Sequence, residues 1–402
     1  YTLSLHDALP ILINMKRTFL FTITLIISMV YIHAQQALGE GSDITSPEVH
    51  SNNTVTFRLY APNANTVEIT GDWIPRDNWK PGMVSLTKDA KGLWSYTTEA
   101  LPSDLYSYSF FVNGVETKDP NNVYLNRDVA TVSNIFIVGN GNGDLYKVQN
   151  VPHGSVTRRW YDSPGNNKTR RITIYTPPGY ETGKDKYPVL YLLHGMGGDE
   201  EAWMALGRTS QIVDNLIAQG KAKPMLIVMS NGNVSQEAAP GESSLGFYKP
   251  VFQLPQTMDG KMEETFPDII KFIESNYRVY TDRSERAIAG LSMGGYHSLH
   301  ISRYYPNTFD YIGLFSPAIN PPNKNSKVYE DIDGTLSGQI NNGYKLYWIG
   351  IGKTDFLYKD VEAFRAKLDN MGAKYTYVES EGGHTWSNWR VYLSEFLPLL
   401  FK

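Results

Sequence analysis

The 402-residue chain contains no cysteine. That excludes disulfides, thiol nucleophiles, thiolate metal sites and a lipidated N-terminal cysteine. No sign of charge dominates either. Lys and Arg total 37 against 41 Asp and Glu, a formal net charge of −4, which gives no basis for nucleic acid or an anionic membrane as a partner. There is no H-E-x-x-H, no G-x-x-x-x-G-K-[ST] and no Rossmann glycine fingerprint, so no metal site is visible and nothing calls for a cofactor. Internal repeats and low-complexity tracts are absent too.

What is present is an ordinary globular composition, 41% hydrophobic and 19% charged, rich in aromatics with 27 Tyr, 16 Phe and 8 Trp. The length suggests two domains. Met15-Lys16-Arg17 followed by an apolar stretch over residues 19–30, with a small residue at Ala34 before Gln35, has the tripartite layout of a secretory signal peptide. The stretch is short for a membrane span, so no stable anchor is expected. The expectation is a non-native leader at 1–14, a signal at 15–34 cleaved near Ala34-Gln35, export to the periplasm or beyond, and a flexible lead-in over 35–47.

Residues 48–140 hold short alternating strands, at 55–60, 66–70, 93–97 and 106–112, separated by turns such as Asn113-Gly114. That pattern predicts a small all-β, immunoglobulin-like sandwich. A Gly- and Asn-rich run opens a linker at 141–148. From 149 to 402, near-continuous apolar strands alternate with amphipathic helices, which predicts an α/β domain with a mostly parallel sheet covered on both faces.

Within that second domain, Gly290-Leu291-Ser292-Met293-Gly294-Gly295 falls between an apolar strand and a helix. G-x-S-x-G in that context is the nucleophile elbow of α/β-hydrolases, where the glycines let backbone approach a serine on a tight turn. A serine needs a base, and the base an orienting carboxylate, in the chain order serine, acid, histidine. Downstream lie His297, His300 and His384. The first two are on the helix that the serine launches and are expected to be packed there. His384 stands in a glycine-rich loop after the last strand, where the base belongs. Asp355, in the loop after the strand at 345–350, is the expected acid. Asp360 and Glu381 compete with it, while Asp331 and Asp333 are expected in a polar loop.

The oxyanion donors expected from this arrangement are the backbone N–H of Met293 and that of Met196, the latter in His194-Gly195-Met196-Gly197-Gly198 after the strand at 189–193. His194 itself is expected to be structural. Trp203 and Trp386 are candidates to wall a cleft. The long stretch 232–260, without periodicity, is a candidate pocket border in which Phe247, Tyr248 and Phe252 could meet an aromatic acyl group.

Several motifs together carry a family resemblance. Val151-Pro152-His153-Gly154, Tyr175-Thr176-Pro177-Pro178-Gly179-Tyr180, Leu192-Leu193-His194-Gly195-Met196-Gly197-Gly198, the serine elbow and Gly383-His384-Thr385-Trp386 resemble carbohydrate esterase family 1, the feruloyl and acetylxylan esterases. Phe57-Arg58-Leu59-Tyr60-Ala61-Pro62-Asn63-Ala64, Gly71-Asp72-Trp73 and Tyr106 to Gly114 resemble carbohydrate-binding module family 48. The first resemblance implies a serine esterase using Ser292, Asp355 and His384. The second implies sugar platforms among Trp73, Trp79 and Trp94. Together they imply a secreted esterase that removes feruloyl groups from plant cell-wall xylan. Acetylxylan esterase, siderophore esterase and a non-catalytic carbohydrate-binding protein are the alternatives.

Overall fold

The computed structural model describes residues 43–76, 80–322 and 325–402. The expected leader and signal segments and Trp79 lie outside the described residues. The described end of the lead-in is anchored rather than loose. Ser46 is buried, and its hydroxyl donates to Asp119 Oδ2 at 2.6 Å.

Two antiparallel sheets make the N-terminal sandwich. One runs Glu48–Val49, Val55–Tyr60, Leu93–Thr97, Thr87–Lys88. The other runs Val84–Ser85, Val67–Gly71, Leu105–Val112, Thr131–Ile137, Leu125–Asp128. Period-two alternation turns Val55, Phe57, Leu59, Val67, Ile69, Tyr108 and Phe110 into one core. Trp94 points into that core and donates its indole N–H to the Ala61 carbonyl at 2.9 Å. Trp73 lies flat on Phe57, with ring centroids 5.1 Å apart and planes within 8°. A side-chain carbon at Gly71 would fall 2.2 Å from the Trp73 ring, so the glycine lets the indole fold back over its own strand. Trp94 is therefore a packing residue, and the expectation that it forms a sugar platform is corrected; Trp73 is half-buried and lays one face on Phe57.

The expected linker is also not a tether. Residues Asn142–Tyr146 form a short helix, and Tyr146 is fully buried in the core of the second domain. Asn215 donates to the Leu145 and Lys147 carbonyls at 2.9 and 3.0 Å, and Arg208 to the Tyr146 carbonyl at 2.9 Å.

The second domain is built on an eight-stranded sheet. Its spatial order is Ser155–Ser163, Lys168–Thr176, Leu226–Ser230, Val189–Leu193, Arg286–Leu291, Tyr311–Phe315, Leu346–Gly352, Thr376–Ser380. Only the first two strands pair antiparallel to their neighbours; from Leu226–Ser230 onward the sheet is parallel. Alternate residues feed two cores. Tyr191, Leu193, Ile288, Ile312, Leu314 and Ile349 face one side, whereas Leu190, Leu192, Ala287, Ala289, Phe315 and Trp348 face the other. With both faces covered, the parallel strands can be apolar throughout, as their sequences are. Asp331, expected in a loop, instead caps the helix Ile332–Asn342, accepting from the Gly334 N–H at 2.9 Å.

The two domains share a buried boundary. Leu105, Ile135 and Ile137 of the sandwich pack into the second domain's core. Beside them Arg390, on the helix Trp386–Phe396, donates to Asp104 Oδ1 at 3.0 Å and to the carbonyls of Leu105 and Leu206 at 2.8 and 3.1 Å. Ser387 also donates to the Asp104 carboxylate. Removing one partner of such a pair strands a buried charge. Asp104→Ala is expected to lower unfolding stability by about 3–5 kcal/mol in urea denaturation, with both domains lost in one transition. A change below 1 kcal/mol would contradict the boundary's structural role.

Candidate active site

The strand Arg286–Leu291 is buried along its whole length and hands directly into the helix Met293–Tyr304, with Ser292 between them. Ser292 has φ 52° and ψ −113°, the mirror image of an extended conformation and a costly one for an L-residue. Its backbone is fixed from three sides. The Ser292 N–H donates to the Phe315 carbonyl at 2.8 Å, and its carbonyl accepts from Tyr296 at 2.9 Å and Ala318 at 3.2 Å. The glycines have steric reasons. A side-chain carbon at Gly290 would sit 2.4 Å from the Gly294 backbone, and one at Gly294 would sit 2.2 Å from the Leu193 carbonyl oxygen.

The acid and base loops follow the next-but-one and last strands. Asp355, after Leu346–Gly352, is buried, and the Nδ1 of His384 lies 2.9 Å from its Oδ2 and 3.1 Å from its Oδ1. The two loops are laced together. Lys353 N–H donates to Ser380 O at 2.9 Å, Thr354 N–H to Gly382 O at 3.0 Å, and the Asn388 side chain to Gly383 O at 2.9 Å. The His384 ring packs edge-on against Trp389 at 4.9 Å and beneath Phe356 at 4.5 Å. It keeps 17% side-chain exposure, enough to meet a substrate. Of the competing carboxylates, Glu381 pairs with Lys353 at the surface and Asp360 is exposed in the first turn of its helix. The Ser292 hydroxyl makes no hydrogen bond to His384 or to any other described residue.

His297 and His300 are spoken for in the packing below the elbow. His297 Nδ1 lies 2.7 Å from Glu263 Oε1, both fully buried. His300 Nδ1 accepts from Arg303, while burial and that guanidinium hold its pKa well below the ordinary histidine value.

The loop after Val189–Leu193 lies against the serine. A side-chain carbon at Gly195 would be 2.4 Å from Leu291 Cδ1 and 3.4 Å from Ser292 Cβ. His194 holds this loop. Its Nδ1–H donates to the Gly195 carbonyl at 2.7 Å, and its Nε2 accepts the Gly232 N–H at 2.8 Å, an arrangement that needs neutral imidazole. Burial accordingly lowers its pKa to about 4. Met196 follows, half-buried, and Met293 is the first residue of its helix, so the Met293 N–H has no intrahelical acceptor.

Other expected pocket residues separate. Trp203 is corrected to a packing residue: it is 1% exposed and donates its indole N–H to the Leu193 carbonyl at 2.9 Å, beneath the loop. Trp386, half-buried, packs edge-on against Trp203 at 5.3 Å and Trp389 at 5.2 Å. Residues 232–260 contain no helix or strand. In that stretch Phe252 lies beside Gly197, where a side-chain carbon would meet its ring at 3.3 Å. Tyr248 is tied to Gln236 at 2.9 Å, and Phe247, 99% exposed, lies beside Gly241. Phe356 was not anticipated, although its place directly after Asp355 is a usable signal. Val129, from the sandwich, also reaches this loop. Nothing local in the sequence marks it.

Among the described residues no cluster of three or more His, Asp or Glu side chains could hold a metal ion. What the arrangement offers is a half-buried serine turn, an imidazole backed by a buried carboxylate, and backbone N–H groups at a helix start, all at the C-terminal edge of a parallel sheet. These parts suit acyl transfer.

The fold and this site define an α/β-hydrolase with an appended β-sandwich. Residues 163–400 match the family described as "Putative esterase", and residues 44–126 match Carbohydrate-binding module 48 (Isoamylase N-terminal domain). The chain is 30% identical over 366 residues to an endo-1,4-beta-xylanase/feruloyl esterase of Xylanibacter ruminicola, covering 89% of this chain and 46% of that protein. This chain thus spans less than half of that relative's length. A solved ferulic acid esterase superposes with a TM-score of 0.50 at 26% identity, over 62% of this chain and 99% of that one. The enterobactin esterase of Shigella flexneri superposes with a TM-score of 0.59 over 86% of this chain and 92% of that one, but at 15% identity that likeness is one of fold alone. The chain belongs to this esterase family and carries an N-terminal domain that matches carbohydrate-binding module 48.

Two outcomes are expected from this geometry. Ser292→Gly relieves the strained φ and raises stability by about 1 kcal/mol after glycine's larger chain entropy is deducted, whereas Ser292→Ala gives no such gain; chemical denaturation of both variants checks this. His194 binds fewer protons folded than unfolded below pH 6.5, so stability falls as pH drops from 6.5 towards about 4. A pH series of melting temperatures for wild type and His194→Gln tests it, and the variant should show the shallower decline.

Proposed function

We propose that this esterase removes feruloyl groups from plant cell-wall arabinoxylan through an acyl-enzyme on Ser292. The His384–Asp355 contact, made by two laced loops at the same sheet edge as the serine turn, is the observation that carries the proposal. Ser292 Oγ attacks the ester carbonyl. His384 Nε2 takes the hydroxyl proton, with Asp355 holding the Nδ1–H tautomer and stabilising the imidazolium. The Met196 and Met293 N–H groups receive the charge that forms on the carbonyl oxygen. The C–O bond to the sugar then breaks, and His384 returns the proton to the departing sugar hydroxyl. Water, deprotonated by the same imidazole, cleaves the acyl-enzyme and restores Ser292. The missing Ser292–His384 hydrogen bond is consistent with a contact that tightens when substrate arrives.

The feruloyl assignment is supported by the xylanase/feruloyl esterase relative and by the aromatic rim of Phe252, Phe356 and Trp386 beside the serine and imidazole loops. Export through the 15–34 segment would bring the enzyme to its polymer. Ser292→Ala is expected to abolish turnover, and Asp355→Asn to lower kcat by about 10⁴-fold with the fold intact. Methyl ferulate, acetylated xylan and a catecholate siderophore, compared as substrates, test the acyl group. Rapid ferulate release supports the proposal, and rapid deacetylation without ferulate release overturns it.

A further inference from the structure

The sandwich meets the hydrolase a second time, next to the serine loop. The hairpin of Leu125–Asp128 and Thr131–Ile137 turns at Val129, a β-branched residue held at φ 51°. Such a conformation is a true outlier for valine and persists only where its surroundings enforce it. Here Arg127 Nη1 donates to the Val129 carbonyl at 3.0 Å, and the Arg127 guanidinium also pairs with buried Asp199. The Asn126 side chain donates to Ala205 O at 3.0 Å. So fixed, the turn rests on Gly197, where a side-chain carbon would meet Val129 Cγ2 at 2.7 Å. Gly197 is the residue after Met196.

Beneath this turn is a cavity of about 460 Å³ lined from both domains. Its polar walls are ion pairs and the exposed Asp128 carboxylate at the hairpin tip. Arg158 grips Glu201 bidentately, Nε to Oε1 at 2.6 Å and Nη2 to Oε2 at 2.8 Å. Arg171 reaches Glu201 at 2.9 Å and Glu242 at 2.7 Å. Val129, Leu206 and Pro240 add apolar surface.

We propose that this cavity is a subsite for a neutral glycan, the sugar side of the ester. The inference rests on the esterase acting on a sugar ester. An anion entering here would have to compete with Asp199, Glu201 and Glu242 for guanidinium groups already committed to them. A cation drawn by Asp128 at the rim would face Arg127, Arg158 and Arg171 inside. A polyhydroxylated neutral ligand needs neither exchange. It can accept from the N–H groups that each arginine has left over, donate to spare carboxylate lone pairs, and lay C–H faces on the apolar surface. The Trp94 indole is turned into the sandwich core and Trp73 lays one face on Phe57, whereas the hairpin tip is the part of the sandwich that lines this cavity.

The test uses the whole chain and two kinds of ligand. Wild type and the double variant Arg158→Ala/Glu242→Ala are titrated calorimetrically with ester-free arabinoxylan oligosaccharides. They are also assayed on methyl ferulate and on a feruloylated arabinoxylan oligosaccharide. The double change removes one charge of each sign at side chains that are 52% and 57% exposed, so the fold should survive, and thermal melting checks that. The expected result is glycan affinity weakened about tenfold, KM for the feruloylated oligosaccharide raised to match, and kcat/KM for methyl ferulate within twofold of wild type. Unchanged glycan affinity and unchanged KM would overturn the subsite. So would tighter wild-type binding of a uronic-acid-bearing oligosaccharide or a catecholate than of the neutral glycan. If methyl ferulate is not turned over while glycan affinity still depends on Arg158 and Glu242, the feruloyl assignment fails and the subsite stands.

Discussion

The structure depends on one backbone constraint, a serine forced to positive φ at the end of a fully buried strand. Strand pairing on both sides and the helix that starts at Met293 hold the turn, and the absence of side chains at Gly290 and Gly294 lets the Leu193 and His194 carbonyls close in. A conformation costing of order 1–3 kcal/mol survives because these surroundings over-determine it. Its consequence is chemical. A helix start stands directly beside Ser292, so the proposed nucleophile and an anion-stabilising dipole come from one device.

Around that turn, two further arrangements hold polar groups where they are needed without leaving charge unpaired. Neutral His194 joins the serine loop to Gly232. The Arg390–Asp104 pair ties the helix after His384 to the sandwich. The sandwich is thereby part of the catalytic domain's frame. Its Val129 turn reaches the residue beside Met196, so the sandwich forms part of the wall next to the proposed ester site.

Much of this was legible in the sequence because it is local or periodic. The apolar parallel strands, the G-x-S-x-G turn and the glycine-flanked His384 loop each declare themselves within a dozen residues, and the chain order of strands gives Asp355 its place. The tryptophans are the first of the losses. Trp94 and Trp203 carry the same letter whether they face solvent or core, and only long-range packing turns both inward. The segment 141–148 has a linker's composition, yet buried Tyr146 and the side chains of Arg208 and Asn215 fix it. Asp331 reads as a loop residue because an exposed helix cap and a loop residue are spelled alike. The contact between Val129 and Gly197 joins positions far apart in the chain and has no local signature.

The central claim is that chemistry proceeds through Ser292 activated by His384. Stoichiometric treatment with a fluorophosphonate, followed by intact mass and peptide mapping, tests it most directly. The account predicts one adduct per chain, on the peptide bearing Ser292, with turnover lost in proportion to labelling. An adduct on another residue with matching loss of activity, or full activity in protein labelled at Ser292, would contradict it.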